Sequence, residues 1–113
     1  MVKATKGIYQ INCSLDCISI NHVGDDWIEE ITYNEKSIED GDIIIASLKD
    51  DITIIGKVIE NDNIPDYGSS SVTISVSGGE KTTQFYVKEN RGRYAGNSAV
   101  WELNCSVKLL ERV

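Results

Sequence analysis

Histidine is almost absent from this chain of 113 residues, because His22 is the only one. A catalytic triad would depend on that single side chain. A zinc site built from the three cysteines would also need a fourth ligand, and the sequence offers no convincing one. The sequence also has no G-x-S-x-G elbow and no glycine-rich phosphate loop between a strand and a helix. These absences predict a protein that is not an enzyme.

Cysteine and long apolar runs are scarce as well. The three cysteines are an odd number, which argues against a framework of disulfides. The longest apolar run, Ile43 to Ala46, is too short to cross a membrane as a helix. No apolar signal sequence follows Met1, so a cytoplasmic location is the default expectation, although a mature secreted protein would share this feature.

Positive charge is sparse over much of the chain. The net charge is −7, and residues 16–66 carry fourteen acidic side chains against three lysines. From Glu80 onward, four acidic residues are balanced by six basic ones. A negative surface repels nucleic acid and anionic lipid headgroups, so nucleic acid is excluded as a partner and membrane binding is disfavoured unless calcium mediates it. The expected partners are cations, basic protein surfaces and neutral ligands such as glycans.

The hydrophobic pattern is typical of strands. Isoleucine occurs sixteen times, leucine five times and alanine four times, and β-branched side chains favour strands over helices. Apolar and polar residues alternate in the stretches 9–16, 72–76 and 101–109, and the phase slips near 16–18, which predicts a bulge. We predict seven strands, at roughly 8–20, 27–33, 42–48, 52–60, 71–77, 82–88 and 99–110.

Short strands divided by turn residues predict an all-β fold. We expect one domain over 1–113, an antiparallel β-sandwich of seven to eight strands with Greek-key connections, and a small barrel is the alternative. The stretches YQINCSLD (9–16) and WELNCSVK (101–108) match in residue type, so they predict two strands of similar burial that are neighbours if the termini lie close together.

The cysteines follow the predicted strand phase. Cys13 and Cys105 fall on inward faces, where cysteine behaves as a small hydrophobic residue, so we expect buried thiols. A disulfide between them stays open for an oxidising compartment, if their strands pair.

One acidic connector carries the main functional signal. The stretch ENDNIPDYG contains Glu60, Asp62 and Asp66, and Asn61 and Asn63 can add amide or backbone oxygens. Calcium takes six to eight oxygen ligands of these kinds, so the connector is a candidate calcium site. Repulsion between close carboxylates is relieved by a cation. The alternative is a solvated turn.

The connector and its two flanking strands resemble part of a known protein family. ITIIGKVIENDNIPDYGSSSVTISV, about 25 of the 113 residues, resembles the part of C2-type β-sandwiches in which a strand runs into an Asp-x-Asp loop, followed by a further aspartate and a glycine. The resemblance implies a C2-like fold that binds Ca²⁺ between loops at one end of the sandwich, often to recruit phospholipid. Here the first acid is Glu60 rather than aspartate, and the gap from Asp62 to Asp66 is shorter than in that family.

Two other connectors are candidates to share that end. If consecutive strands are antiparallel, loops 34–41, 61–70 and 90–98 lie together, which would add Glu39 and Asp40 as ligands. The same argument places Asp25 and Asp26 at the opposite end, whereas the C2 resemblance implies that they join the site. We keep both acids as second-tier ligands.

The predicted function is therefore a non-enzymatic calcium-binding module that presents acidic loops to a protein or glycan. The alternative is a metal-independent interaction module, of the inhibitor or immunity type, that offers its acidic face to a basic partner. Arginine and tyrosine are favoured at interface hot spots. The candidate partner-binding residues are Tyr67, Arg91, Arg93 and Tyr94.

Overall fold

The computed structural model describes residues 4–20, 27–60, 66–88 and 98–113, and within these ranges it contains strands and turns but no helix. Accordingly, these ranges hold no helix that could span a membrane. In these ranges, eight strands follow one another. Their bounds are β1 Lys6–Ile20, β2 Trp27–Tyr33, β3 Lys36–Ser37, β4 Asp42–Ser47, β5 Ile52–Glu60, β6 Asp66–Ile74, β7 Gly79–Lys88 and β8 Ser98–Arg112.

The strands form two antiparallel sheets of four strands each. Sheet A has the order β4-β1-β8-β7, and sheet B has the order β3-β2-β5-β6. The inward faces of the two sheets contribute to a common apolar cluster. This arrangement confirms the predicted antiparallel β-sandwich, with eight strands.

The core consists of the inward-facing apolar residues, as the alternating pattern predicts. Full burial of one isoleucine or leucine side chain contributes about 1.5–3 kcal/mol, so the sum of these contacts drives the two sheets together. The buried apolar residues are Tyr9, Ile11, Cys13, Leu15, Ile52, Ile54, Val58, Val72, Ile74, Phe85, Val87, Ala99, Trp101, Leu103, Cys105 and Val107.

The β1–β8 pair forms the middle of sheet A. Its register runs without interruption from Tyr9 opposite Leu109 to Cys17 opposite Trp101, and it then shifts between Cys17 and Ser19. The shift confirms the predicted change of phase in the first strand. The two similar stretches 9–16 and 101–108 lie in these strands, so they are hydrogen-bonded neighbours that run in opposite directions.

Two predicted segments differ most from the observed ones. The alternation of apolar residues predicts a strand over 71–77, but β6 is Asp66–Ile74 because it pairs with β5 along its whole length. The predicted turn 34–41 contains the short strand β3. Asn34 and Glu35 have positive φ angles of 50° and 65°, a conformation that makes a tight hairpin between β2 and β3.

At one corner of the sandwich, β6 and β7 belong to different sheets but approach each other closely. The hydroxyls of Ser70 and Thr83 lie 3.0 Å apart, within hydrogen-bonding distance. A β-carbon at Gly68 would lie only 2.6 Å from the carbonyl oxygen of Tyr86, so a glycine is needed at this crossing. This contact fixes the position of the first half of β6, which begins with Asp66.

Candidate functional site

Two acidic side chains of the connector are buried at one end of sheet B. Glu60 is the last residue of β5 and Asp66 the first of β6, and the two are opposite each other in the register. They are only 6% and 2% exposed, because both continue the inward-facing rows of their strands. The site is therefore a pair of carboxyl groups at the edge of the core.

A tryptophan lies beside this pair on the neighbouring strand. Trp27 begins β2 and is opposite Glu60 in the register, so Trp27, Glu60 and Asp66 form one row across three strands. The Trp27 ring meets the Trp101 ring of sheet A edge to face, with 5.3 Å between the ring centroids. This contact joins the two sheets beside the carboxyl pair.

The strand ends of sheet A come together at the same end. Ile20 at the end of β1 is opposite Ala99, and Lys88 at the end of β7 is opposite Ser98. Ala99 precedes Trp101 by two residues on the inward face of β8. The chain thus leaves β1, β5 and β7 at the end of the sandwich that carries the carboxyl pair, and re-enters there at β2, β6 and β8.

Several predicted site residues lie outside the described ranges, in the segments 21–26, 61–65 and 89–97 that connect these strand ends. They are the predicted ligands Asp25, Asp26, Asn61, Asp62 and Asn63, the predicted partner-binding residues Arg91, Arg93 and Tyr94, and the single histidine, His22.

Glu39 and Asp40 lie elsewhere in the structure. The Asp40 Oδ1 atom accepts hydrogen bonds from the backbone N–H of Cys13 at 3.0 Å and from the Asn12 amide at 3.2 Å. Along β1, Cys13 is more than about 20 Å from the strand end at Ile20. The prediction that loop 34–41 shares an end with the Glu60 connector is wrong, because β2 begins opposite Glu60 and runs away from it, so the loop follows the far end of β2.

Among the residues with described positions, no three histidine, cysteine, aspartate or glutamate side chains form a group that could hold a metal ion. Glu60 and Asp66 are a pair, and both make further interactions within the chain. Two carboxylates supply at most four of the six to eight oxygens that calcium takes. A calcium site at this end would therefore need ligands from the connecting segments or from water.

Tyr67 has the exposure that a partner-binding residue needs. It follows Asp66 and points to the outer face of sheet B, where its side chain is 68% exposed. The ammonium group of Lys57 lies 5.1 Å from the centroid of its ring, within the range of a cation–π contact. The exposed ring thus lies on the outside of the strand whose inner face holds the buried acid.

Comparison with known proteins leaves the family of the chain open. No protein-family model, no curated protein and no solved structure matches it. The resemblance of residues 52–76 to C2-type sandwiches stays a prediction, and the functional argument rests on the chemistry of the residues themselves.

The thiols are placed as the strand phase predicts. Cys13 and Cys105 are buried and Cys17 is exposed, and all three are free. The neighbouring Cys105 thiol lowers the pKa of Cys13 against the opposing effects of burial, Asp40 and Asp42. The neighbouring Cys13 thiol, together with burial, raises the pKa of Cys105.

The polar outer face of sheet A carries hydrogen bonds that the sequence does not predict. There Thr82 donates to Asn104 at 2.7 Å, and Asn104 donates to Asp16 at 3.1 Å, so hydrogen bonds connect three strands. An open depression of about 360 Å³ lies over this face. It is lined by Asn12, Cys13, Ser14, Asp40, Glu80, Lys81, Thr82, Asn104, Cys105 and Ser106. The alternation that predicts the core also predicts the outward positions of Asp16, Thr82 and Asn104, but not the hydrogen bonds between these side chains.

Proposed function

We propose that this protein is a non-enzymatic calcium-binding β-sandwich that presents the end carrying Glu60 and Asp66 to a protein or a glycan. The observation that carries this proposal is the burial of two carboxyl groups directly opposite each other on adjacent strands.

The electrostatics of such a pair favour a cation. Residues opposite each other in an antiparallel pair have β-carbons roughly 4.5–5.5 Å apart, and like charges in that position destabilise the sheet. Burial adds the cost of removing each charge from water. A divalent cation between Glu60 and Asp66 would turn their mutual repulsion into two attractions.

The ligand chemistry favours calcium over smaller cations. Calcium accepts a flexible set of carboxylate, carbonyl and amide oxygens, whereas magnesium requires tight octahedral geometry and loses its waters reluctantly. The segment between Glu60 and Asp66 contains Asn61, Asp62 and Asn63, which offer ligands of these kinds. Asp25 and Asp26 directly precede Trp27 in the sequence and stay second-tier candidates.

The expected partners follow from charge and exposure. The excess of acidic residues disfavours nucleic acid and bare anionic membranes. Tyr67, the residue after Asp66, offers an exposed aromatic ring on the outer face of sheet B, and aromatic rings are common anchors in protein interfaces.

The proposal is tested by thermal unfolding in chelator and in millimolar calcium. An ion that binds only the folded state, at about a hundred times its Kd, stabilises it by roughly 2.7 kcal/mol, which raises the Tm by about 10 °C. Asp66→Asn and Glu60→Gln should each abolish or greatly reduce the shift, and magnesium should produce much less of it. Asp51→Asn removes an exposed acid far from the pair and should leave the shift intact. Identical melting in chelator and in calcium would refute calcium binding.

The alternative function is a metal-independent inhibitor or immunity-type module. It is favoured by the fourteen acidic residues in 16–66, several of which, such as Glu29 and Glu30 on β2, are exposed. Under this alternative the protein binds a basic partner equally well in chelator and in calcium, with an affinity that falls as salt is added.

A further inference from the structure

A local two-fold pattern surrounds the two buried cysteines. The tripeptide Asn-Cys-Ser occurs at 12–14 in β1 and again at 104–106 in β8. Because the strands are antiparallel, Asn12 is opposite Ser106 and Ser14 is opposite Asn104, and Cys13 is directly opposite Cys105. The two thiols therefore project from neighbouring strands into the same part of the core.

The backbone hydrogen bonds show which kind of cross-strand pair this is. The Cys13 N–H donates to Asp40, and the Ile11 carbonyl accepts from the N–H of Gly41, both on the β4 side of β1. In an antiparallel sheet the N–H and the C=O of one residue point to the same side, so neither group of Cys13 bonds to β8. Cys13 and Cys105 are thus a non-hydrogen-bonded pair.

The geometry of a non-hydrogen-bonded pair is compatible with a disulfide. Directly opposite residues of a non-hydrogen-bonded pair have α-carbons about 4.5 Å apart and side chains closer than in the other kind. Disulfides join residues whose α-carbons are roughly 4.4–6.8 Å apart. Both side chains belong to the inward-facing rows of their strands, so they leave the sheet on the same face, directly opposite each other.

We propose that Cys13 and Cys105 form an intramolecular disulfide when the folded protein meets hydrogen peroxide. The thiolate of Cys13 attacks one peroxide oxygen, the O–O bond breaks, and the released hydroxide takes up a proton to leave as water. The sulfenic acid formed on Cys13 is then attacked by the Cys105 sulfur, which loses its proton as the S–O bond breaks and a second water leaves. Two thiols are oxidised to one disulfide, and one peroxide is reduced to two waters.

The burial of the pair determines which oxidant can act. Cys13 and Cys105 are 6% and 3% exposed, so a bulky disulfide such as oxidised glutathione cannot approach either sulfur in the folded protein. Hydrogen peroxide is close to water in size and uncharged, so brief local openings of the sheet admit it. Cys13 reacts first, because the neighbouring Cys105 thiol lowers its pKa and so favours the thiolate.

The bridge would stabilise the fold through the unfolded chain. The two cysteines are about 90 residues apart in the sequence, and a link that closes so long a loop removes much of the freedom of the unfolded state. We expect the oxidised protein to have a Tm higher by roughly 10 °C, and reductant to reverse this shift.

The experiment uses Cys17→Ser, which removes the exposed thiol and keeps the pair. After peroxide treatment of the folded protein and removal of the peroxide, the sample is denatured, treated with a maleimide and weighed by mass spectrometry. We expect a monomer without maleimide that has lost two hydrogens and has the raised Tm. Matched controls are Cys13→Ala and Cys105→Ala, each in the Cys17→Ser background, which keep one thiol and gain no thermal shift.

Three results would overturn the inference. The first is a treated protein that still takes up two maleimides, because its thiols then remain free. The second is a product that gains oxygen atoms without losing two hydrogens, which means that the sulfurs oxidise separately. The third is a link that forms in denaturant but not in the folded protein, which means that the fold holds the two sulfurs apart.

Discussion

The close approach of β6 and β7 at Gly68 makes a quantitative prediction for Gly68→Ala. The added methyl group would lie 2.6 Å from the Tyr86 carbonyl oxygen and 2.9 Å from Val87 Cγ2. The first neighbour is backbone, so relief requires a shift of the strands rather than a side-chain rotation. Overpacking of this kind costs about 1–3 kcal/mol, and the reduced freedom of the unfolded chain returns about 0.4–1 kcal/mol.

The expected net loss is about 1–2 kcal/mol of unfolding free energy, or a Tm lower by roughly 5–10 °C. Urea unfolding measures it, with Ser69→Ala as the matched control. Ser69 is the next residue and its side chain is exposed on the outer face, so its truncation should change the free energy by less than about 0.5 kcal/mol. Equal midpoints for the two variants would show that the strands are not in close contact at this corner.

Three further predictions test the packing and the hydrogen bonds. Ile54→Ala should cost about 2–5 kcal/mol in urea unfolding because the side chain is fully buried, whereas Ile55→Ala, 46% exposed, should cost less than about 1 kcal/mol; equal losses would place β5 in the wrong phase. Asp40→Ala removes the acceptor of the Cys13 N–H and should cost about 1 kcal/mol, whereas Asp40→Asn keeps an acceptor oxygen and should cost less; no difference between them would exclude the hydrogen bond. In native protein a thiol reagent should label Cys17 rapidly and Cys13 and Cys105 only on unfolding; rapid labelling of all three would contradict their burial.

The strands could be predicted because their signal is local. Alternation of apolar and polar residues predicts 27–33 and 52–60, the same ranges as β2 and β5. It places the first and last strands within two residues of the observed bounds. Burial of one face of a strand against the other sheet requires this alternation, so the sequence carries it directly.

The start of β6 and the strand order could not be predicted, because they depend on partners far away in the sequence. The stretch DYGSSS has the glycine and serines of a turn, but it is a strand because β5 provides a partner for each of its residues. Likewise, the short strand β3 between β2 and β4 was not predicted, so the assumption that consecutive predicted strands are antiparallel misplaced the loop containing Glu39 and Asp40.

The burial of Glu60 did have a signal in the sequence. In β5 the inward row is Ile52, Ile54, Gly56, Val58 and Glu60, so the acid occupies the next position of an otherwise apolar row. A glutamate in a solvated turn would not need to continue the inward-facing row of a strand. Because a buried carboxylate costs free energy unless positive charge or hydrogen bonds compensate it, an acid that continues the inward phase of a strand indicates a neighbour that compensates it. The same holds for Asp66 in β6, and the coincidence of the two in one cross-strand pair is what directs the calcium experiment to this end of the sandwich.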